Sequence, residues 1–216
     1  MSTCRRKLLD LALEEAIALM RGRVLDIGGR KDNKRGNFRP PLQNVKSWEY
    51  VNTDSNARPD YCCDAMKIPL EDDSIDTVVM TEVLEYLERP EEVLSEVRRL
   101  LKVGGICILS IPFLHPVHGD EEFDRQRWTA LKLEQACREA GFAETNIQPM
   151  GSIWSVVHDI LHVWLGYSRT RPDRIHLRAL RKILHTTTPF FLWLDSKAAS
   201  LNKYVNTGYF AVMKKG

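Results

Sequence analysis

Glycines and carboxylates stand at the ends of three apolar segments in the first third of the chain. Gly28 and Gly29 follow the first segment, Asp54 follows the second and Asp64 follows the third. Glycine lets backbone N–H groups approach a ligand, and a carboxylate can accept hydrogen bonds from both hydroxyls of a ribose. Each feature alone also has a structural explanation, because Gly-Gly serves sharp turns and Asp caps helices. Together they predict a nucleoside-binding crevice at the ends of neighbouring strands.

A second group of titratable residues follows the fifth apolar segment. It comprises His115, His118, Asp120, Asp124 and Arg125. Since histidine titrates near neutral pH, we predict that His118 is the general base of a group transfer. The alternative is that these side chains bond to one another and to the loop backbone. A metal site built from His115, His118 and Asp120 is a weaker alternative because nothing in the spacing imposes a coordination geometry, and we predict no metal.

The elements that would position these groups alternate as in a parallel sheet covered by helices. The candidate strands are the apolar runs at 24–28, 48–54, 61–64, 75–80, 106–112, 143–150 and 206–215. Apolar residues recur at helical spacing near the N-terminus, within 81–105 and within 129–140, and Gly104 with Gly105 is predicted to end the second helix. No such spacing occurs in 30–46, so the first crossover helix is predicted to be missing or reduced to a turn. The pattern predicts an α/β fold.

The order of these motifs resembles that of the class I S-adenosylmethionine-dependent methyltransferases, in the branch with the small-molecule and "type 11" enzymes. The segments that carry the resemblance are VLDIGG, Asp54, CDAMKIPLEDDSIDTVVMTEVLEYL, LLKVGGICILSIPF and REAGF, within about residues 22 to 150. The resemblance implies a Rossmann-like sheet of seven strands, the last antiparallel, and S-adenosyl-L-methionine as the cofactor. The cofactor-binding residues that it implies are Asp26, Gly28, Gly29, Asp54, Asp64, Ala65 and Glu82.

The resemblance also assigns these residues to parts of the cofactor. Gly28 and Gly29 would lie near the methionine part, Asp54 would bind the ribose, and Asp64 with Ala65 would frame the adenine. The chain departs from the family loop, because Arg30 and Asp32 stand where the second and third glycines usually occur.

Composition and charge limit the classes of protein to which the chain can belong. Its 216 residues, of which 44% are hydrophobic and 28% charged, exclude a disordered chain and suit a single domain with one elaboration. Five cysteines without a C-x-x-C pair indicate neither a disulfide framework nor a structural zinc site. A net charge of +2 gives no reason to expect nucleic acid as a partner. We expect a cytoplasmic protein.

The elaboration is an insertion at 152–203, between the last two candidate strands, and it segregates charge. It carries eight basic and three acidic residues, so its net charge is +5 and that of the remainder is −3. We predict that Ser155, Asp159 and His162 mark the solvent side of its first helix, with the apolar residues facing the body. Its basic residues include a row at helical spacing: Arg174, Arg178 and Arg181. The insertion is either a lid with solvated arginines or a cap that meets an anionic acceptor or a membrane surface.

The sequence therefore predicts a methyltransferase that acts on a small-molecule or glycan-type acceptor, by O-methylation. An anionic, lipid-linked acceptor at the inner face of a membrane is the favoured interpretation. One alternative is a degenerate methyltransferase fold that serves as an interaction module. The other is a nicotinamide-dependent oxidoreductase, which shares the glycine turn and the strand-end Asp but does not explain the DDSIDTVVMTEVLEYL segment. The oligomeric state is left open.

Overall fold

The computed structural model describes residues 3–31, 36–41, 43–118, 122–166 and 175–216. Its strands are β1 (Gly22–Ile27), β2 (Val45–Asn52), β3 (Tyr61–Cys62), β4 (Ile75–Thr81), β5 (Leu101–Pro112), β6 (Glu144–Met150) and β7 (Gly208–Lys214). Its α-helices are α1 (Cys4–Ala16), α2 (Pro90–Leu100), α3 (Ala130–Glu139), α4 (Ile153–Gly166), α5 (Ile175–Thr186) and α6 (Thr188–Lys197). None of the helices within these residues is long and apolar enough to cross a membrane.

The strands form one seven-stranded sheet in the order β3-β2-β1-β4-β5-β7-β6. The first five strands are mutually parallel, and β7 runs antiparallel to both β5 and β6. The predicted seven-stranded fold with an antiparallel last strand is thereby confirmed. Since the chain moves outward from β1 in one direction and then continues at β4 in the other, a crevice opens at the carboxyl ends of β1 and β4.

The core lies on both faces of the sheet. One face is covered by α2 and α3, whose buried residues pack with the inner side chains of β4 and β5. The other is covered by α1, where Leu9 and Leu13 pack against Val24, Val79 and Ile108. The central strands are therefore buried on both sides, as their consecutive apolar residues predict.

The connections around the crevice contain little regular secondary structure. No described residue between β1 and β2 is helical, as the missing helical spacing predicts. The prediction for Gly104 and Gly105 is wrong, because α2 already ends at Leu100 and both glycines lie within β5. They form an irregular start of that strand, where Gly104 has a φ of +74° and the register with β4 shifts.

The insertion forms α4, α5 and α6, and the predicted orientation of α4 is wrong. Ser155, Asp159 and His162 are buried, whereas Ile160 and Trp164 are exposed. The physical reason is helix capping, since the first N–H groups of a helix have no partner within it. Asp159 accepts hydrogen bonds from the N–H groups of Cys4 and Arg5, at 2.7 and 2.8 Å, in the first turn of α1.

A second buried carboxylate completes the same arrangement. Asp195 of α6 accepts hydrogen bonds from the backbone N–H groups of Ser152 and Ser155 at the start of α4, at 3.0 and 3.2 Å. It also accepts from both serine hydroxyls. These contacts satisfy the N-termini of two helices, α1 through Asp159 and α4 itself through Asp195, which outweighs burial of the apolar side of α4.

The predicted row of arginines on one side of a helix is not confirmed at any of its three positions. Arg174 and the side chain of Arg178 lie outside the described residues. Arg181 is half-buried and places Nη2 3.3 Å from His162 Nε2, so it faces α4.

A test of the packing around α1 uses Gly208, at the start of β7. A Cβ there would overlap Arg5 Nη1 and the carbonyl oxygen of Ile111. Because neither neighbour has room to move, we expect Gly208→Ala to lower the free energy of unfolding by about 1 to 3 kcal/mol in chemical denaturation. The control is Gly166→Ala in α4, where a Cβ would lie 3.5 Å from its nearest neighbour. Equal stabilities of the two variants would contradict this packing.

Candidate functional site

A crevice of about 720 Å³ lies at the carboxyl ends of β1 to β4. Four of the predicted cofactor-binding residues line it, namely Gly28, Asp64, Ala65 and Glu82. Its other walls come from the segments after β2 and from the short helical turn Leu84–Tyr86. The strand-end residues that the sequence singles out are thus brought together at one edge of the sheet.

The glycine loop after β1 is closely packed against the sheet. Gly28 adopts a φ of +73° and donates its N–H to the Val51 carbonyl at 2.7 Å. A Cβ on Gly29 would lie 2.5 Å from Asp26 Cγ, so only glycine fits there. Asp26 itself is buried and accepts from Trp48 Nε1 at 3.3 Å. It lies behind the loop and is not among the residues that line the crevice, so its assignment to the cofactor stays a prediction.

Asp54 lies beside the crevice on an exposed turn. Its Oδ1 accepts from the Asn56 backbone N–H and from Asn56 Nδ2, both at 2.9 Å, and its Oδ2 is 3.4 Å from Arg30 Nη1. The hydrogen bond from Asn56 and the charge of Arg30 lower the pKa of Asp54. Its carboxylate is therefore ionised, and the arginine that replaces a loop glycine contacts the predicted ribose-binding residue.

Asp64 and Ala65 form the opposite wall. Asp64 is exposed and accepts from the Met66 N–H at 2.8 Å. Ala65 is buried in the core beside it. Both residues line the crevice, and a carboxylate such as that of Asp64 can accept more than one hydrogen bond.

A buried ion pair closes the crevice at its inner end. Glu82, just after β4, accepts from Arg5 Nε at 2.8 Å, from Arg5 Nη2 and from Ser110 Oγ at 2.7 Å. Arg5 is only 2% exposed. Although burial alone raises the pKa of Glu82, the charge and hydrogen bonds of Arg5 bring it down to about 2. Glu82 is therefore a permanent anion.

Glu85 lies one turn further on and has the opposite character. It is fully buried, and no donor among the described residues reaches either of its carboxyl oxygens. Burial, together with the negative charge of Glu82, raises the pKa of Glu85 well above its usual range. Two neighbouring carboxyl groups are thus held in different protonation states, one ionised and one neutral.

His118 lies between these two carboxyl groups. Its Nε2 is 3.7 Å from Glu82 Oε2 and 3.6 Å from Glu85 Oε1. Its Nδ1 is 3.5 Å from Asp124 Oδ2, and Arg127 Nη2 donates to the same oxygen at 2.7 Å. Burial lowers the pKa of His118, so the imidazole is neutral near pH 7 and can accept a proton.

A smaller cavity of about 230 Å³ surrounds this group. Its lining includes Arg5, Glu82, Tyr86, His115 and His118. It shares Glu82 and Tyr86 with the crevice, so these two residues lie between the two spaces. Burial and the charge of Arg5 lower the pKa of His115 to about 4, so this ring is also neutral.

Two clusters of described residues have the donor atoms of a metal site. In Cys4, His158 and Asp159, the carboxylate already accepts from two backbone N–H groups, and burial raises the pKa of Cys4 to about 12. In Glu82, Glu85 and His118, Arg5 engages both oxygens of Glu82. In each set one carboxylate is thus engaged by protein donors, and Asp120 lies outside the described residues. The absence of a metal stays a prediction.

Sequence reasoning missed Arg5 and Glu85. Arg5 lies in a helix whose spacing indicates packing only, 77 residues before its partner Glu82. Glu85 lies in the segment TEVLEYL, where the family resemblance implies a role in cofactor binding for Glu82 alone. The spacing Glu82-x-x-Glu85, which brings two side chains together on one helical turn, is the signal that was available.

Comparisons with known proteins agree with this architecture. A family model described as a methyltransferase domain matches residues 43–109. The chain is 30% identical over 95 residues to 2-methyl-6-phytyl-1,4-hydroquinone methyltransferase 1, chloroplastic, of Oryza sativa subsp. japonica. That alignment covers 42% of this chain and 28% of the rice protein, so the chain spans only about a quarter of the curated relative.

Solved structures share the fold over nearly the whole chain. Phosphoethanolamine N-methyltransferase 2 of Haemonchus contortus, in complex with S-adenosyl-L-methionine, has a TM-score of 0.57 at 18% identity, over 96% of this chain and 52% of that one. The 4+2 cyclase SpnF has a TM-score of 0.60 at 20% identity, over 96% of this chain and 80% of that one. The predicted resemblance to the class I methyltransferases is confirmed by the family model and the fold.

The neutral state of Glu85 predicts a pH dependence of stability. The folded protein keeps Glu85 protonated, whereas the unfolded chain releases this proton above about pH 4.3. The unfolding free energy therefore falls as pH rises from there towards the folded pKa, by up to about 1.4 kcal/mol per pH unit. Glu85→Gln removes this loss, so the variant should gain stability relative to wild type between about pH 5 and about pH 8.

Chemical denaturation at the two pH values measures this difference. Glu144→Gln, at an exposed carboxyl on β6, is the control and should follow the wild-type pH dependence. A constant difference between Glu85→Gln and wild type at both pH values would show that Glu85 is ionised in the folded protein.

Proposed function

We propose that this chain, which has the class I methyltransferase fold, binds S-adenosyl-L-methionine in the crevice and transfers its methyl group to a small-molecule acceptor. The observation that carries the proposal is that Glu82 and Tyr86 line two neighbouring spaces. One space is rimmed by the residues suited to a nucleoside, and the other holds a neutral histidine beside an ionised carboxylate.

The residues around the crevice fit the cofactor part by part. Gly28 lines the crevice and has no side chain, which leaves its backbone accessible for the methionine part. Gly29 lets the loop pack closely against Asp26. Asp54 is ionised and would accept from the ribose hydroxyls, with Arg30 shifting to admit them. Asp64 with Ala65 would frame the adenine, as the family resemblance implies. Bound there, S-adenosyl-L-methionine supplies a methyl group that is attached to a sulfonium and open to in-line attack.

His118 would serve the acceptor side of the reaction. We propose O-methylation, in which His118 Nε2 takes the proton of an acceptor hydroxyl as the oxygen bonds to the methyl carbon and the sulfur–methyl bond breaks. The resulting imidazolium would lie 3.7 Å from the Glu82 carboxylate, which stabilises the new positive charge. In-line transfer needs chiefly alignment and this proton acceptor.

The acceptor that fits is a small molecule with an anionic or hydroxylated head. Arg5 and Arg6 line the cavity beside His118. Each is already paired with a carboxylate, Arg5 with Glu82 and Arg6 with Asp10, so the cavity supports a hydroxylated head more directly than an anionic one. The similarity to a rice enzyme named for a phytyl hydroquinone supports a small acceptor with an apolar tail. A glycan-type or lipid-linked acceptor, met in the cytoplasm at the inner face of a membrane, belongs to this proposal.

A binding module without transferase activity is the second candidate. The similarity to SpnF, which is named as a cyclase, supports this second candidate, because the fold by itself does not require methyl transfer. The Arg30 side chain near Asp54 gives it a structural basis, since that contact occupies the predicted ribose-binding carboxylate. A nicotinamide-dependent oxidoreductase lacks a comparable observation.

Calorimetric titration distinguishes these candidate functions. We expect S-adenosylhomocysteine to bind and a nicotinamide dinucleotide not to bind. Asp54→Asn and Asp64→Asn should each weaken S-adenosylhomocysteine binding about tenfold or more, because each removes a charged hydrogen-bond acceptor. Asp72→Asn, in an exposed ion pair with Arg99 away from the crevice, is the control and should keep wild-type affinity. Wild-type affinity in all three variants would refute the cofactor assignment, and binding of neither ligand would favour the module.

A further inference from the structure

We propose that the insertion docks the protein on the surface of an anionic lipid bilayer through the outward side of α4. This outer face consists of Ile153, Trp154, Val157, Ile160, Leu161 and Trp164. The inference concerns an interaction surface, and it stands apart from the proposed reaction because it uses none of the residues around the crevice.

The outer face is continuous and apolar. Its six positions recur at steps of one, three or four residues, so they occupy a single side of a helix with 3.6 residues per turn. Their exposed fractions range from 38% at Val157 to 60% at Trp164. Exposed apolar patches of this kind mark protein or membrane interaction sites in soluble domains.

The helix cannot turn this face inward. Its opposite side is held by Asp159, which binds the N-terminus of α1, and by Ser155, whose backbone N–H and hydroxyl donate to Asp195. His158 also contacts α5 and α6, since its Nε2 lies 3.3 Å from the Leu184 carbonyl oxygen and 3.2 Å from Thr188 Oγ1. Rotation of α4 would leave all of these polar groups buried without partners.

Exposed aromatic side chains also occur on α6 and just after it. The rings of Phe190 and Trp193 stack at a centroid distance of 5.9 Å, and both are more than half exposed. Tyr204 is exposed shortly after α6. Tryptophan and tyrosine are enriched where proteins meet the headgroup level of a membrane, and amphipathic helices bind there through their apolar face.

Charge decides between a bilayer and a second copy of the chain. Both acidic residues in the described part of the insertion, Asp159 and Asp195, are buried in internal hydrogen bonds. Lys182, Lys197 and Lys203 are exposed, and the insertion as a whole carries a net charge of +5. Two copies meeting here would bring like charges together, whereas anionic headgroups attract each basic residue near the surface.

Flotation with lipid vesicles tests this proposal on the full chain. Wild type should float with vesicles in which a third of the lipid is phosphatidylglycerol, less with pure phosphatidylcholine, and its tryptophan emission should shift to the blue on binding. The double variant Ile160→Glu, Trp164→Glu should lose at least about tenfold in partitioning, because two charges enter the face that inserts. Both side chains are exposed, so the fold should persist, as unchanged circular dichroism would show.

The matched control places the same two charges on other exposed apolar residues. The double variant Val103→Glu, Leu131→Glu, at positions in β5 and α3 that are 76% and 73% exposed, should leave partitioning unchanged. Three results would overturn the proposal. They are failure of wild type to bind the anionic vesicles, an equal loss in the two double variants, and a wild-type dimer that the α4 variant converts to monomer without vesicle binding.

Discussion

The buried ion pair between Arg5 and Glu82 joins the parts of the molecule on which its chemistry depends. The guanidinium reaches the end of β4 and packs against Gly208 of β7, while the Arg5 backbone N–H donates to Asp159 of α4. Removing one partner of such a pair leaves an uncompensated buried charge, at a cost of about 3 to 5 kcal/mol. The N-terminal helix, the inner end of the crevice and the insertion are therefore fastened together through one residue.

This ion pair also sets the protonation states around it. Arg5 is close enough to ionise Glu82, and the resulting anion, together with burial, keeps Glu85 neutral. His118 is then a neutral ring with the Glu82 carboxylate near Nε2 and the Asp124 carboxylate near Nδ1, and these charges would stabilise the imidazolium that forms when it accepts a proton. Asp159 of α4 binds the first turn of α1, which carries Arg5. The helix that bears the outer face therefore also holds α1 in place beside Glu82.

The sheet and the crevice could be predicted from the sequence because strand-end glycines and carboxylates follow consecutive buried strands. The orientation of α4 could not, since apolar spacing identifies two sides of a helix without saying which one is buried. There, Asp159 and Ser155 take part in capping at the ends of two helices, and these hydrogen bonds outweigh the apolar side. The Arg5–Glu82 contact escaped prediction because it joins distant segments. The helix end predicted at Gly104 and Gly105 was wrong because two glycines suit an irregular strand as well as a helix end.

The central claim is that the cofactor lies in the crevice with its reactive end towards Glu82 and His118. A crystal structure with S-adenosylhomocysteine tests it most directly. The account predicts adenosine between Asp54 and Asp64, and the sulfur facing the cavity that contains His118. Adenosine bound outside the crevice, or a sulfur that faces away from Glu82 and His118, would contradict the account.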